Sequence, residues 1–330
     1  PKQFSKILND QSLFQKSALR FSSSEKIFFE PHITLTNTEL RFIVVEQLME
    51  VGIDSGPVLL EPESKNTAAS ILSATLFSYN QNNDSILLVA PSDHIIPETQ
   101  DFHEAVFAGL KEVEDGKIIT FGIEPSRPET GYGYLELKKI SEKNAVDLVQ
   151  FIEKPNKKRA IEMIGLGNYL WNSGIFLFRA KDMISAFKKY SSNLFFQVNQ
   201  ALKKSKIDLG FIRLDAQAWS LCENISIDFA IMEKIKNIST VPFNGKWSDL
   251  GDWDAVWQEM DPDKNGVSNS SNAYAFKCRN TLLRSESERQ VVVGLGLEDI
   301  IAIAMPDAVL VAHKERSLNS RLKEYKMVFE

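Results

Sequence analysis

The chain of 330 residues is poor in the side chains that build disulfide frameworks and zinc sites. Its two cysteines, Cys222 and Cys278, lie in unrelated sequence contexts, and its four histidines are scattered. A disulfide-rich scaffold and a histidine-based zinc site are therefore poor hypotheses. No apolar run approaches the roughly 18 residues that cross a bilayer. The first ten residues, PKQFSKILND, lack the apolar stretch of a secretory signal, so we expect a cytoplasmic protein without a membrane segment.

Glycine is also scarce, with 16 residues in the chain, and several glycine-dependent motifs are missing. The sequence contains no complete P-loop, no dinucleotide-binding fingerprint and no nucleophile elbow. Nothing in it marks a nicotinamide site, which argues against an oxidoreductase.

The charge balance is mildly acidic, because the chain has 38 Lys and Arg residues and 44 Asp and Glu residues, which gives a net charge of −6. This balance argues against a general nucleic-acid binder, although a local basic pocket for phosphates stays open. Hydrophobic residues make up 43% and charged residues 25%, as in ordinary globular proteins. At roughly 150 residues per domain, the length suggests two domains.

Short apolar runs alternate with helix-length periodic segments over the first 240 or so residues. This alternation predicts an α/β fold, Rossmann-like, with a mixed and mostly parallel sheet covered by helices on both faces. The predicted strands cover 27–30, 58–61, 85–90 and 117–122, and the predicted helices cover 40–51 and 66–79.

A polar, turn-rich stretch beginning at Asp261 separates this region from five short β-like runs. These runs cover 273–277, 281–284, 290–293, 299–304 and 308–312, and a charged tail begins at Lys314. We therefore expect a catalytic domain at 1–260 and a small β-rich domain at 266–330.

Two aspartates from distant parts of the chain are candidate metal ligands. Asp93 lies in VAPSDH, where Pro91 ends a hydrophobic strand, and Asp249 lies in WSDLGDW. Magnesium prefers carboxylate and phosphate oxygens, so both residues fit such a site. The alternatives are an Asx turn at Asp93 and, within the second motif, an N-cap role for Asp252.

Two further motifs carry polar residues at strand ends. In FIEKP, Glu153 could accept hydrogen bonds from sugar hydroxyls while Lys154 neutralises a phosphate. In LWNSGIFLF, Asn172 precedes an apolar strand and Gly174 allows a close backbone approach. Two solvated charges at a strand end explain FIEKP equally well, and a plain turn before a core strand explains LWNSGIFLF equally well.

Two more segments could contact a nucleotide or a sugar. In EPESKNTAA, Asn66 stands at a helix start, where free N–H groups can bind an anion or a base edge. The glycines of TGYGY permit a backbone donor to face a sugar hydroxyl. Helix capping and a simple turn are the alternatives here.

Taken together and in this order, the motifs resemble the mannose-1-phosphate guanylyltransferase family of sugar nucleotidyltransferases. The resemblance covers most of the chain and includes PKQF, SLFQ, RFIVVEQL, EPESKNTAASI, APSDHII, TGYGYLE, FIEKP, YLWNSGIFLF, SIDFAIMEK, KWSDLGDW and GLEDIIAIAMPDAVLVAHK. It looks like the bacterial type that is often fused to an isomerase cupin domain, and we expect no such domain in this chain.

The resemblance implies that GTP and mannose 1-phosphate react to give GDP-mannose, for polysaccharide synthesis, and pyrophosphate, with Mg2+ as cofactor. It implies metal binding by Asp93 and Asp249, with Asp252 as a less certain neighbour. The same resemblance implies the remaining contacts. Lys2 would contact the nucleotide phosphates, and Lys154 would contact the sugar phosphate. Mannose hydroxyls would be bound by Glu153, Asn172 and the Gly131 backbone, and guanine by Glu61 and Asn66.

The family's glycine-rich loop would precede PKQF, and the chain begins at Pro1. We expect that loop and the first strand to lie upstream, and a chain without them to be a poor catalyst. The alternative functions are transfer to another sugar 1-phosphate, or a non-catalytic regulatory subunit. A homodimer is one option for the assembly.

Overall fold

The structure is a computed structural model that describes residues 1–6, 10–24, 26–139, 144–251, 253–287 and 289–314. The predicted charged tail from Lys314 lies, apart from Lys314 itself, outside the described residues.

The helices include both that the periodicity predicts. The α-helices are α1 Leu13–Arg20, α2 Arg41–Glu50, α3 Asn66–Gln81, α4 Thr99–Glu114, α5 Lys157–Leu166, α6 Ala180–Tyr190, α7 Ser192–Lys203, α8 Ala216–Ser220 and α9 Trp253–Gln258. A 3-10 turn covers Lys2–Phe4 and a π-helical turn covers Asp228–Met232.

Most predicted apolar runs form strands. The strands are β1 Thr34–Asn37, β2 Val58–Glu61, β3 Ile86–Val89, β4 Ile118–Ile123, β5 Tyr134–Leu137, β6 Val146–Ile152, β7 Tyr169–Arg179, β8 Lys206–Asp208, β9 Phe211–Arg213, β10 Ile238–Phe243, β11 Val267–Asn269, β12 Ala273–Phe276, β13 Thr281–Ser285, β14 Val292–Leu295, β15 Ile300–Ala304 and β16 Val309–His313.

A six-stranded sheet of order β3-β7-β4-β10-β6-β5 is buried on both faces. Side chains alternate along β7, so that Phe176 and Phe178 pack with Leu72 of α3, while Ile175 and Leu177 pack with Phe102 of α4. Helices on both faces confirm the α/β prediction. The pairing is less parallel than expected, because β4–β10 is parallel and the other described pairs of this sheet are antiparallel.

A second sheet has the order β1-β2-β9-β8. Its β1–β2 and β2–β9 pairs are parallel, and its β8–β9 pair is antiparallel. Strand β2 is buried up to Leu60 and ends at Glu61, one of the predicted site residues.

The strands after residue 266 form short, mainly parallel pairs. The order β11-β13-β15-β16 makes one sheet, and β12 pairs in parallel with β14. Leu282, Ile301 and Ile303 bury themselves against Trp257 of α9. The β-rich character predicted for this region is confirmed, whereas the domain boundaries at 260 and 266 stay a prediction.

The chain folds into two compact units, neither of which is one continuous stretch. The first contains residues 1–13, 93–95 and 248–330. The second contains residues 14–92 and 96–247, with the six-stranded and the β1-β2-β9-β8 sheets.

The strand predicted at Ile27 to Glu30 is wrong. This segment has no strand pairing, and its Phe28 side chain is exposed. Serine side chains satisfy the local backbone: the Phe29 N–H donates to Ser23 Oγ, and the Ile27 N–H donates to Ser24 Oγ. Such local bonds compete with a strand ladder, and a periodicity argument does not include them.

Both cysteines are buried free thiols, and burial raises the pKa of Cys222 to about 11. Among the described residues, no helix has the length and apolar character of a membrane span.

Candidate active site

Two segments that are distant in sequence are joined by a short antiparallel bridge beside both candidate metal ligands. The Ile95 N–H donates to the Ser248 carbonyl at 2.8 Å, and the Ser248 N–H donates to the Ile95 carbonyl at 3.1 Å. Asp93 and Asp249 lie close to these bridging residues along the chain. Backbone pairing thus brings together the APSDHI and WSDLG motifs.

The ammonium group of Lys2 lies at this junction. Its Nζ donates to Asp93 Oδ2 at 3.2 Å and to the main-chain oxygen of Asp249 at 2.6 Å. The Lys2 and Asp93 side chains are 27% and 34% exposed, so the ion pair is partly shielded from water. The structure therefore brings together three predicted site residues around a single positive charge.

The backbone around Asp249 is held in an unusual conformation. Leu250 has φ 45°, a left-handed value that is uncommon for a branched residue, and its side chain is buried with Leu13, Ile95 and Val256. The Asp249 Oδ1 atom accepts a hydrogen bond from the Gly251 N–H at 3.0 Å. The burial of Leu250 thus stabilises the turn, and the turn positions the Asp249 carboxylate.

A Cβ atom at Gly251 would make a tight contact of 3.0 Å with Asp249 Oδ2, so a larger residue there would require the carboxylate to shift. No cluster of three or more His, Cys, Asp or Glu side chains suited to a metal occurs in the part of the chain that the structure describes. The donors here are two carboxylates, and Asp252, the less certain neighbour, lies outside the described residues.

The second group of predicted residues is joined through the TGYGY loop. The Lys154 N–H donates to the Tyr132 carbonyl at 3.2 Å, and the Asn172 N–H donates to the Gly133 carbonyl at 2.8 Å. Strand β5, which follows this loop, pairs with both β6 and β7. The TGYGY, FIEKP and LWNSG motifs therefore meet at one end of the six-stranded sheet.

Among the carboxyl groups beside this loop, Glu153 has the most strongly shifted pKa. Its side chain is 4% exposed and forms an ion pair with Lys154, while its N–H donates to Glu233 Oε1 at 2.9 Å. Burial, and then the charge of Asp228, raise the pKa of Glu153 to about 7, against the opposing effect of Lys154. Lys154 itself has φ 46°, so the backbone is strained where its side chain meets Glu153.

Gly133 leaves the space that Glu153 uses. A Cβ atom at Gly133 would lie 2.7 Å from Glu153 Oε2 and 3.1 Å from the Phe151 ring. The second glycine of TGYGY therefore has a steric role that the sequence motif alone did not assign.

Asn172 is held at both ends of its amide group. Its Oδ1 accepts from Thr120 Oγ1 at 2.6 Å, and its Nδ2 donates to Asp228 Oδ1 at 3.3 Å. Thr120 and Asp228 were not among the predicted site residues. Asp228 does lie in the SIDFAIMEK motif, so its motif membership was the available signal, while Thr120 on β4 carried none.

The main-chain N–H of Gly131 donates to Glu129 Oε1 at 2.9 Å. Glu129 also pairs with Arg127 at 3.4 Å. In this state the Gly131 donor is therefore used within the loop, and a contact with a sugar needs Glu129 to release it.

The remaining two predicted residues lie between β2 and α3. Burial raises the pKa of the Glu61 carboxyl, whereas a hydrogen bond with Ser70 lowers it, and Glu61 Oε1 is buried without a hydrogen-bond partner. Asn66 begins α3 with φ 62°, and its Oδ1 accepts from the Thr67 N–H at 2.9 Å. This contact is with the next residue, and α3 has no side-chain cap hydrogen bond, so the capping alternative for Asn66 is not supported.

Replacing Glu153 by Gln should change how stability depends on pH. A carboxyl with a folded pKa of about 7 and an ordinary value of 4.5 binds protons more tightly when folded. The free energy of unfolding therefore falls as pH rises between these values, and the loss is complete above about pH 7. Glu153→Gln should unfold with about 1–3 kcal/mol more free energy than wild type at pH 8 and about the same at pH 4, as measured by urea denaturation.

Glu162→Gln on the exposed face of α5 is the matched control, and its unfolding should follow wild type at both pH values. Equal effects of Glu153→Gln at pH 4 and pH 8 would show that Glu153 is not a destabilising buried charge.

The nucleotidyl transferase family profile matches residues 1–266 of the chain. The chain therefore belongs to the nucleotidyl transferase family. This match covers the motifs that hold Lys2, Asp93, Lys154, Asn172 and Asp249.

Curated relatives narrow the resemblance further. The chain is 36% identical over 317 residues to a protein named mannose-1-phosphate guanylyltransferase from Sinorhizobium fredii, covering 96% of this chain and 61% of the relative. It is 35% identical over 318 residues to the alginate biosynthesis protein AlgA of Pseudomonas aeruginosa, covering 96% of this chain and 65% of that protein. The chain thus spans less than two thirds of these two relatives, and the expected resemblance to mannose-1-phosphate guanylyltransferases is confirmed.

A solved structure supports the fold. A Thermus thermophilus protein, described as a mannose-1-phosphate geranyltransferase, superposes with a TM-score of 0.82 at 23% identity. The superposition covers 99% of this chain and 92% of that chain. The nucleotidyltransferase-type α/β fold with additional C-terminal strands is therefore confirmed.

Proposed function

We propose that this protein transfers GMP from GTP to mannose 1-phosphate, giving GDP-mannose and pyrophosphate for polysaccharide synthesis. Family membership supports a nucleotidyltransferase, and the name of the Sinorhizobium fredii relative supports the substrates. The name of the Pseudomonas aeruginosa relative supports polysaccharide synthesis as the destination.

The observation that carries the proposal is the junction of Lys2, Asp93 and Asp249. A cationic group already lies against the Asp93 carboxylate and the Asp249 main chain, which fits a position for a positive ion. Nucleotidyl transferases generally use a divalent metal, and we propose Mg2+, held by Asp93 and Asp249. Two carboxylates suit Mg2+, which usually keeps several waters and takes its other ligands from substrate phosphates. When bound, Mg2+ supplies positive charge against the triphosphate oxygens.

The reaction needs no protein nucleophile. An oxygen of the sugar phosphate attacks the α-phosphorus of GTP, the bond to the bridging oxygen breaks, and pyrophosphate leaves with the electron pair. The attacking oxygen is already anionic, so no proton has to be removed from it. The protein's part is to position two polyanions and to neutralise their charge.

The charged residues divide this work. Lys2 leaves Asp93 and contacts the nucleotide phosphates, and Lys154 neutralises the phosphate of mannose 1-phosphate. Glu153 and Asn172 bind mannose hydroxyls, with the Gly131 N–H as a further donor. The buried position of Glu153 supports this role, because hydrogen bonds to a shielded carboxylate are strong.

Glu61 is our proposed guanine contact, with Asn66 beside it. Guanine presents two adjacent N–H donors on its pairing edge, N1–H and N2–H, and a carboxylate accepts from both. Adenine presents an acceptor at N1, which a carboxylate repels. The buried Glu61 Oε1 without a hydrogen-bond partner supports this choice of GTP over ATP.

We also propose that residues 1–260 carry the catalytic function and that residues 266–330 are a β-rich part, although the described strands of that part share a compact unit with Lys2, Asp93 and Asp249. The end of the family match at residue 266 supports this division.

A substrate panel tests the function. The full-length protein would be incubated with Mg2+, mannose 1-phosphate and one of GTP, ATP, UTP or dTTP, and pyrophosphate release would be measured. We expect GTP to exceed each other nucleotide in kcat/KM by at least about tenfold, because one lost buried polar contact costs that much or more. Glucose 1-phosphate with GTP is the control for the sugar.

Faster turnover with another nucleotide or with glucose 1-phosphate would replace the proposed substrates and keep the reaction class. No pyrophosphate release from any pair would contradict the proposed function and favour a regulatory subunit.

A further inference from the structure

An unassigned carboxylate, Asp228, lies beside the residues that we propose to bind mannose. It stands on the π-helical turn Asp228–Met232, a rare backbone form that often occurs at functional sites. Its Oδ1 accepts the hydrogen bond from Asn172 Nδ2 at 3.3 Å.

We propose that Asp228 is a positioning residue that sets the amide orientation of Asn172. This inference rests on the proposed function, and it adds a residue that controls how the sugar phosphate is recognised.

The effect of Asp228 on the orientation of Asn172 follows from hydrogen-bond chemistry. A side-chain amide can turn over, which exchanges its oxygen and nitrogen. Thr120 Oγ1 does not prevent this exchange, since a hydroxyl can donate or accept. An ionised Asp228 only accepts, so it selects the orientation that turns Nδ2 of Asn172 toward it. That orientation leaves one N–H of Asn172 as a donor for a substrate oxygen.

The charge of Asp228 gives the test a second readout. The Glu153 side chain is buried, Asp228 is half-buried, and the negative charge of Asp228 raises the pKa of Glu153. The charged groups that act on Asp228 are Lys154, which lowers its pKa, and Glu233, which raises it, while burial raises it most. Removing the charge of Asp228 should therefore let Glu153 ionise at lower pH.

The test uses the full-length protein and the variant Asp228→Asn, which keeps size and removes charge. The KM for mannose 1-phosphate should rise about tenfold, because one hydrogen bond to the sugar is lost. The KM for GTP should stay within about twofold. The acid limb of the kcat/KM profile for mannose 1-phosphate should move to lower pH by about half a unit or more.

The shift of the acid limb of the kcat/KM profile separates positioning from a merely structural role, because loosened packing would not change the pH at which that limb lies. Asp208→Asn on the exposed strand β8 is the control and should leave both KM values and the limb unchanged. A second variant, Asp228→Ala, removes the acceptor for Asn172 Nδ2 altogether. It should also raise the KM for mannose 1-phosphate, so the inference stays testable if Asp228→Asn does not fold.

Active wild type together with an unmoved acid limb and an unchanged sugar KM in Asp228→Asn would overturn this inference alone. If Asp228→Asn does not fold, an unchanged sugar KM in Asp228→Ala would overturn it. Absence of turnover in wild type would overturn the proposed function and the inference together.

Discussion

Replacing Asp249 by Asn should lower kcat for GDP-mannose synthesis about a thousandfold, with a much smaller change in KM for GTP. The estimate follows from the loss of one preorganised charge at the reacting phosphate. Asn keeps an oxygen that can accept from the Gly251 N–H, so the local turn should survive. The variant therefore removes the ligand charge and little else. Initial rates of pyrophosphate release from the full-length protein give the measurement.

Asp307→Asn is the matched control, because Asp307 is an exposed aspartate of the same compact unit. It should keep wild-type turnover. If Asp249→Asn also keeps more than about a tenth of the wild-type kcat, Asp249 serves only its turn and the metal role is wrong.

The second large effect is expected at Lys154. Lys154→Met should lower kcat/KM for mannose 1-phosphate about a hundredfold, because truncating one partner of a charged contact costs about 3 kcal/mol. The KM for GTP should change much less, since Lys154 is proposed to contact only the sugar phosphate. Varying each substrate at saturating levels of the other separates the two effects.

Lys157→Met, three positions further along and exposed at the start of α5, removes the same charge outside the proposed contact. It should behave as wild type. Equal losses in the two variants would mean that the general positive potential, and not a specific phosphate contact, attracts the sugar phosphate.

Local patterns predicted the elements well where hydrophobic periodicity was strong. The strand at 58–61 has the predicted bounds, and the helix predicted at 66–79 extends to Gln81. The segment at Ile27 failed because serine side chains bind its backbone, a local effect that apolar periodicity does not record.

Parallel and antiparallel pairing was the harder feature of the fold. The alternation of strands and helices favoured parallel neighbours, yet β7 lies antiparallel between β3 and β4. Pairing partners are far apart in sequence, so a single chain's local pattern carries little information about them.

The site residues also fall into those that local sequence motifs predicted and those that depend on tertiary contacts. Motif order pointed to Asp93, Asp249, Glu153 and Asn172, whose neighbours in sequence are distinctive. Thr120 and Asp228 contact Asn172 only after strands β4 and β7 and the π-helical turn have assembled. The pKa of Glu153 also depends on that assembly, because burial is its largest cause. Side chains that act through such tertiary contacts lack a local signal.

The most direct test of the central claim is metal binding by Asp93 and Asp249. Electron paramagnetic resonance would follow Mn2+ binding to the full-length protein with a non-hydrolysable GTP analogue present. Wild type should bind one Mn2+ per chain, and the double variant Asp93→Asn, Asp249→Asn should lose at least about tenfold in affinity. Equal Mn2+ affinity in the two proteins would contradict the account.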